Sequence, residues 1–299
     1  LTALITGIAT AYTGIIGVEL FKKPDFVRKT FAAADAVSKE MDIDHLLSKH
    51  LIYEAEAEED VSNDITFKGE TLSAAVDSSG TAISALAYSV QSLDKDNVLV
   101  EKDSERVLPI ASVTKLITAV MARKLFKEDA VVEITSRVLT TEGTTGKFRF
   151  GEKFKMKEIL YPLLLVSSND AAEAISQAYD AKNGKGKFVQ AMNDWVNEVG
   201  AYRTYFRDAS GLSPQNISTA RDLSIIVKWI KENDPEIFDI TLTKSKTIRL
   251  HTWINPTHFL SLSSYTGGKN GYTTEAKLTN VSLFTLGSPQ RLYSVVLLG

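Results

Sequence analysis

The sequence predicts an α+β fold: an antiparallel sheet flanked by helices, with a helical subdomain inserted between its strands. Three observations predict it. Strand-like apolar runs come early and late while helical spacing fills the middle, as expected when both ends of a domain close one sheet. The early runs are joined by a short polar turn, the mark of a hairpin. The 299 residues are 44% hydrophobic and 24% charged, enough for one large core.

The chain starts at Leu1 without a methionine and stops on the apolar run Val295-Val296-Leu297-Leu298-Gly299, which reads as a segment trimmed at both ends. Residues 1–18 carry no charge, and the run continues through Leu20-Phe21 until Lys22 and Lys23 close it. About 20 apolar residues span roughly 30 Å of hydrocarbon. Residues 1–21 are therefore read as a signal anchor or signal peptide, with a buried helix as the alternative. Residues 22–80 read as a stalk or linker, because the acidic run 54–60 has no basic partner and solvates readily.

From residue 81 to 299 the pattern is that of a packed domain. Residues 85–90 and 97–100 form the hairpin around the turn 93–96. A helix follows over 111–126, with Pro109 near its start. Helical spacing returns at 156–179, 188–199 and 219–230, and strand-like runs at 247–250, 278–286 and 292–298.

Composition removes several chemistries. With no cysteine there is no disulfide scaffold, thiol catalysis, iron–sulfur cluster or thiolate zinc site. A net charge of −3 argues against nucleic acid as a partner, which calls for a cationic surface. The four histidines are read as structural or surface residues: His45 and His50 lie in the stalk, His251 and His258 flank residues 253–256. No Gly-x-Ser-x-Gly elbow or His-Glu-x-x-His helix is present, and Gly143-Thr144-Thr145-Gly146-Lys147-Phe148 lacks the length and hydroxyl of a phosphate loop.

Three short motifs carry chemistry. In Ser112-Val113-Thr114-Lys115, positions i and i+3 of a helix share a face, so hydroxyl and amine can meet. A serine needs a base within hydrogen-bond reach, and lysine serves only if burial or a neighbouring cation lowers its pKa. Ser167-Ser168-Asn169 sits at a break between apolar segments, where its polar groups either enter a cleft or cap a helix. Lys269-Asn270-Gly271-Tyr272 follows two glycines, a composition that lets a ligand backbone approach an edge strand closely. The decoys Ser92-Leu93-Asp94-Lys95 and Lys182-Asn183-Gly184 fall in a hairpin turn and a solvated loop.

In this order the motifs resemble the penicillin-binding protein and serine β-lactamase superfamily, whose site combines Ser-x-x-Lys, Ser-x-Asn and Lys-Thr-Gly. The stretches 109–116, 168–172, 208–212 and 218–223 narrow the resemblance to low-molecular-mass serine-type D-alanyl-D-alanine carboxypeptidases. It covers about residues 81–299 and implies a DD-peptidase/β-lactamase-like fold. It also implies that Ser112 is the acylated nucleophile, Lys115 its base and Ser167 a proton relay. Asn169 would orient the substrate, while Lys269 would hold Ser167 electrostatically and help attract a terminal carboxylate. Asn270, Gly271 and Tyr272 would complete substrate binding, with an oxyanion hole at the Ser112 and Tyr272 N–H groups.

The resemblance implies no metal and no cofactor. The partners it implies are peptidoglycan stem peptides ending in D-Ala-D-Ala, β-lactams as covalent inhibitors, and a membrane held through the N-terminal segment at the extracytoplasmic face of the bacterial cell. Asn270 stands where the family carries Thr or Ser, which leaves strict carboxypeptidase specificity open. A DD-endopeptidase shares all three motifs. A class A β-lactamase needs a glutamate in a Glu-x-x-Leu-Asn loop, and residues 199–208 contain none. A catalytically silent wall-binding protein would not need the intact serine and lysine set.

Overall fold

The computed structural model describes residues 64–67, 70–73 and 83–299. The apolar segment 1–21 and the acidic run 54–60 lie outside them, and among the described residues no helix is long and apolar enough to cross a membrane. Asp64–Phe67 (β1) pairs antiparallel with Glu70–Ser73 (β2), a small hairpin inside the stretch expected to be stalk. Ile65 and Phe67 alternate there with polar residues, the period of a strand.

The chain then forms β3 (Ala87–Ser92) and β4 (Asn97–Lys102), a short β5 (Leu108–Pro109), a 3₁₀ turn (Ala111–Val113) and α1 (Thr114–Leu125). β6 (Val131–Glu133), one turn of α2 (Ser136–Leu139) and β7 (Lys153–Lys155) lead to α3 (Met156–Leu165), α4 (Asn169–Asn183) and α5 (Lys187–Glu198). β8 (Ile217–Ser218), α6 (Ala220–Asn233) and α7 (Glu236–Thr241) follow, then the hairpin β9 (Ser245–Ile248) and β10 (His251–Ile254). The last strands are β11 (Tyr265–Thr273), β12 (Lys277–Leu286) and β13 (Arg291–Leu298).

The main sheet is antiparallel throughout, in the order β11-β12-β13-β3-β4, so early and late strands meet at the β13–β3 pair. Both of its faces are covered. On β13, Val296 and Leu298 enter the larger core shared with the helices, while Tyr293, Val295 and Leu297 enter a smaller core with Phe259 and Phe284. A strand buried on both faces reads as a continuous apolar run, as 292–298 does.

Three expected elements are redrawn. The helix expected over 111–126 begins as a 3₁₀ turn, because Ala111 is left-handed (φ 47°) and only from Thr114 does the α-helix run. The helical spacing over 156–179 is two helices, broken where Ser167 is left-handed (φ 56°) and Ser168 caps α4 by accepting from the Ala171 N–H. The strand expected at 247–250 spans Ser245–Ile248, since Arg249 and Leu250 make the two-residue turn to β10. The decoy Lys182-Asn183 ends α4, exposed, rather than lying in a loop.

Helix α7 fixes the edge strand. Thr241 Oγ1 accepts from the Gly268 N–H at 3.0 Å, and the fully buried Phe238 packs on the Gly267 backbone. Phe238→Ala should therefore lower unfolding stability by about 3–5 kcal/mol, seen as a lower urea midpoint at unchanged m-value.

Candidate active site

Residues 110–113 are held from two sides. The Ile110 N–H donates to the Asn216 carbonyl at 3.0 Å, and the Ile110 carbonyl accepts from Thr279 Oγ1 of β12 at 3.0 Å. The loop 207–216 lies beneath. Asp208 accepts from the N–H groups of Ser210, Gly211 and Ser213, each at 2.7 Å, and Thr118 Oγ1 of α1 donates to the Ala209 carbonyl at 2.6 Å. Gly211 cannot carry a side chain: at φ 88°, a Cβ would sit 1.9 Å from the Ala111 carbonyl oxygen.

Lys115 is completely buried at this junction. Its Nζ lies 2.9 Å from Ser112 Oγ, 2.6 Å from Asn169 Oδ1 and 2.5 Å from the Ser210 carbonyl oxygen. Burial, and then the charge of Lys269, hold this amine well below the ordinary lysine range, against the opposing pull of Asp208 and Asp170. Asn169 is oriented by its other end, Nδ2 donating to the Glu142 carbonyl at 3.0 Å.

Ser112, Ser167, Lys269, Asn270, Gly271 and Tyr272 all line one cavity of about 420 Å³. Leu164, Leu165, Asn255, Pro256, Phe259 and Tyr265 also line it. Lys115 and Asn169 sit behind Ser112 rather than in the lining. Gly271 passes so close to the nucleophile candidate that a Cβ there would lie 2.6 Å from the Ser112 nitrogen. Tyr272 projects outward, and Asn270 is exposed at the rim.

Lys269 Nζ donates to the Asn270 carbonyl at 2.6 Å and not to Ser167, so any hold it has on that hydroxyl is electrostatic. The Ser167 hydroxyl is buried without a hydrogen-bond partner. A left-handed serine costs on the order of 1–2 kcal/mol, and the Ser168 N–H, donating to the Pro162 carbonyl at 3.0 Å, closes the helix end that imposes it. Burial also pushes Lys269 down to about 7.

Residues 73–299 match the family model described as D-alanyl-D-alanine carboxypeptidase. The chain belongs to that family. Among curated relatives, a D-alanyl-D-alanine endopeptidase of Pseudomonas aeruginosa is 33% identical over 153 residues, covering 50% of this chain and 48% of its own. The D-alanyl-D-alanine carboxypeptidase DacF of Bacillus subtilis is 28% identical over 216 residues, covering 66% and 54%. The chain thus spans about half the length of the curated relatives it matches. A solved D-alanyl-D-alanine carboxypeptidase of Mycobacterium tuberculosis superposes with a TM-score of 0.66 at 27% identity, covering 72% of this chain and 82% of that one.

Sequence reasoning missed the parts of this D-alanyl-D-alanine carboxypeptidase family site that act through the backbone. The Ser210 carbonyl has no signature of its own, although Asp208-Ala209-Ser210-Gly211 is a legible Asp-anchored turn. The same holds for Asn216, whose Oδ1 accepts from the Arg207 and Asp208 N–H groups and whose Nδ2 reaches Thr114 Oγ1 at 3.1 Å. His251 is structural, within 3.0 Å of the Glu152 carboxylate and stacked on Trp253.

The lowered pKa of Lys269 has a consequence for stability. Between its folded value near 7 and the ordinary lysine value of 10.5, the unfolded chain holds a proton that the folded chain lacks. Stability contributed by this group therefore rises with pH through that window. Urea midpoints should increase between about pH 7.5 and 9.5, and Lys269→Met should flatten that rise.

Proposed function

We propose that this protein is a serine DD-peptidase that cleaves the D-Ala-D-Ala bond of peptidoglycan stem peptides through an acyl-enzyme on Ser112. The arrangement around Lys115 carries the reading. A neutral amine has two hydrogens and one lone pair. Asn169 Oδ1 and the Ser210 carbonyl are pure acceptors and take the two hydrogens, so the lone pair faces the Ser112 hydroxyl. Burial favours the neutral form that this geometry needs.

Ser112 Oγ attacks the carbonyl carbon of the penultimate D-Ala while its proton passes to Lys115 Nζ. Negative charge grows on the carbonyl oxygen, and the backbone N–H groups of Ser112 and Tyr272 receive it. The close passage of Gly271 along the Ser112 nitrogen supports that pairing. Donors aimed at charge that develops only in the transition state are worth roughly 3–4 kcal/mol each. The C–N bond then breaks, and the departing amine takes a proton through Ser167, whose unpaired hydroxyl lines the same cavity. Water, activated by the same base, releases the acyl group.

A substrate carboxylate beside Lys269 in the cavity would draw this amine into its charged form. β-Lactams, as mimics of the acyl-D-Ala-D-Ala bond, acylate Ser112 on this reading. The enzyme would act on the extracytoplasmic side, held by the apolar segment 1–21. We favour carboxypeptidase action, since Lys269 lines the cavity where a free terminal carboxylate would find a cation. Endopeptidase action is the second reading, favoured by Asn270 in place of a hydroxyl and by the relatives named endopeptidase.

Ser112→Ala should abolish labelling by a fluorescent penicillin, and labelling that survives would overturn the nucleophile assignment. Lys115→Ala should slow acylation by about 10²–10⁴-fold. In the native enzyme, acylation should fall toward acid pH as Lys115 takes up a proton, and a rate flat across that range would refute the base. Product mass spectrometry decides the bond. Release of one alanine from a pentapeptide, with a cross-linked dimer untouched, supports the carboxypeptidase, and cleavage of the dimer supports the endopeptidase.

A further inference from the structure

Two turns outside the cleft carry large apolar residues at their apices, where turns ordinarily place polar ones. In the first, residues 149–152, the Glu152 N–H returns to the Arg149 carbonyl at 3.2 Å and Phe150 stands at the corner, 72% exposed. In the second, the two-residue β9–β10 turn, Leu250 is 80% exposed. Ile254, on the outward face of β10, is 67% exposed. Nothing in the fold requires these side chains to be apolar, since none of them packs into a core.

The two turns are fastened side by side. His251 Nε2 lies 3.0 Å from both Glu152 carboxylate oxygens, and Arg249 donates to the Lys153 carbonyl while its guanidinium lies 5.0 Å over the Phe154 ring. Phe150 and Leu250 therefore protrude from one rigid platform. Each is flanked by an arginine, Arg149 and Arg249, and the platform also exposes Lys147, Lys153 and Lys155. The facing carboxylates are engaged: Glu152 with His251 and the Arg149 N–H, Glu133 with Lys153, Glu158 with Arg249 and the Lys155 N–H, Asp129 with Lys155. Five cations against four carboxylates leave the platform a local charge of +1, on a chain whose net charge is −3.

We propose that this platform docks on an anionic lipid surface, with Phe150 and Leu250 entering the headgroup boundary and the surrounding cations facing lipid phosphates. Protruding single apolar side chains ringed by basic ones suit a soft, negatively charged interface. A flat protein partner would instead bury a contiguous patch with a polar rim. The platform adjoins the active-site cavity, because Ile254 is followed directly by the wall residues Asn255, Pro256 and Thr257. The proposal does not depend on the reaction assigned to the cleft.

The native chain lacks cysteine, so a single Cys can carry an environment-sensitive dye. Because the apolar run at residues 1–21 is an independent route to a bilayer, the readout must be local. The full chain labelled at Thr252→Cys should show a blue shift with phosphatidylcholine vesicles containing about 30% phosphatidylglycerol, quenched by spin-labelled lipid. The shift should be absent with pure phosphatidylcholine and absent for a label at Lys185→Cys. Phe150→Ser/Leu250→Ser should abolish it, and Lys147→Glu/Arg149→Glu should weaken binding by about thirtyfold or more, with penicillin labelling unchanged in both. A Thr252 probe silent on anionic vesicles, a shift unaffected by either double variant, or one that grows with protein concentration without vesicles would each overturn the proposal, the last in favour of a second copy of this chain.

Discussion

The site is organised by the burial of one amine. An ammonium without solvent is expensive unless paired, and Lys115 has no carboxylate within hydrogen-bond reach, only a hydroxyl, an amide oxygen and a carbonyl oxygen. Burial is what favours the neutral amine, with Lys269 adding to it and Asp208 and Asp170 opposing it. The amine also fixes topology, because its three partners belong to the 3₁₀ turn before α1, the first residue of α4 and the loop 207–216. Any movement of one of these segments leaves a buried polar atom unsatisfied. The amine thus acts as both a chemical group and a structural fastener.

The loop 207–216 is the least conspicuous of the three and the most constrained. Asp208 gathers successive N–H groups, Asn216 ties both ends of the loop, and Thr114 and Thr118 of α1 bind it beside Lys115. These contacts aim the Ser210 carbonyl at the amine. They also press Gly211 against the left-handed Ala111, so the unusual backbone before Ser112 is dictated from outside. Strain of this kind persists only where the surroundings over-determine it.

The sheet contributes an edge. β11 pairs only with β12, which leaves its other side bordering the cavity. Two cores, one on each face, keep the sheet rigid up to this last strand, while α7 pins Gly267 and Gly268 from the helical side. Lys269, buried on that strand, is thereby held with a pKa lowered by burial, and its charge makes Lys115 harder to protonate.

The sequence by itself determined the strands–helices–strands order of the main domain, the hairpin at 87–102, the apolar late strands and the family, because periodicity and short motifs are local properties. It also placed Ser112 three residues from Lys115, a spacing that brings them together even though a 3₁₀ turn precedes the helix. Only the tertiary structure decided what surrounds the amine. The Ser210 carbonyl, the Asn169 amide oxygen and the Gly271 backbone reach it or its neighbour from residues 54 to more than 150 positions away. It also turned Lys269 toward the Asn270 carbonyl and left the Ser167 hydroxyl unpaired. Backbone carbonyls look alike in every sequence, and desolvation depends on how closely distant segments pack, so neither could be read until the chain was folded.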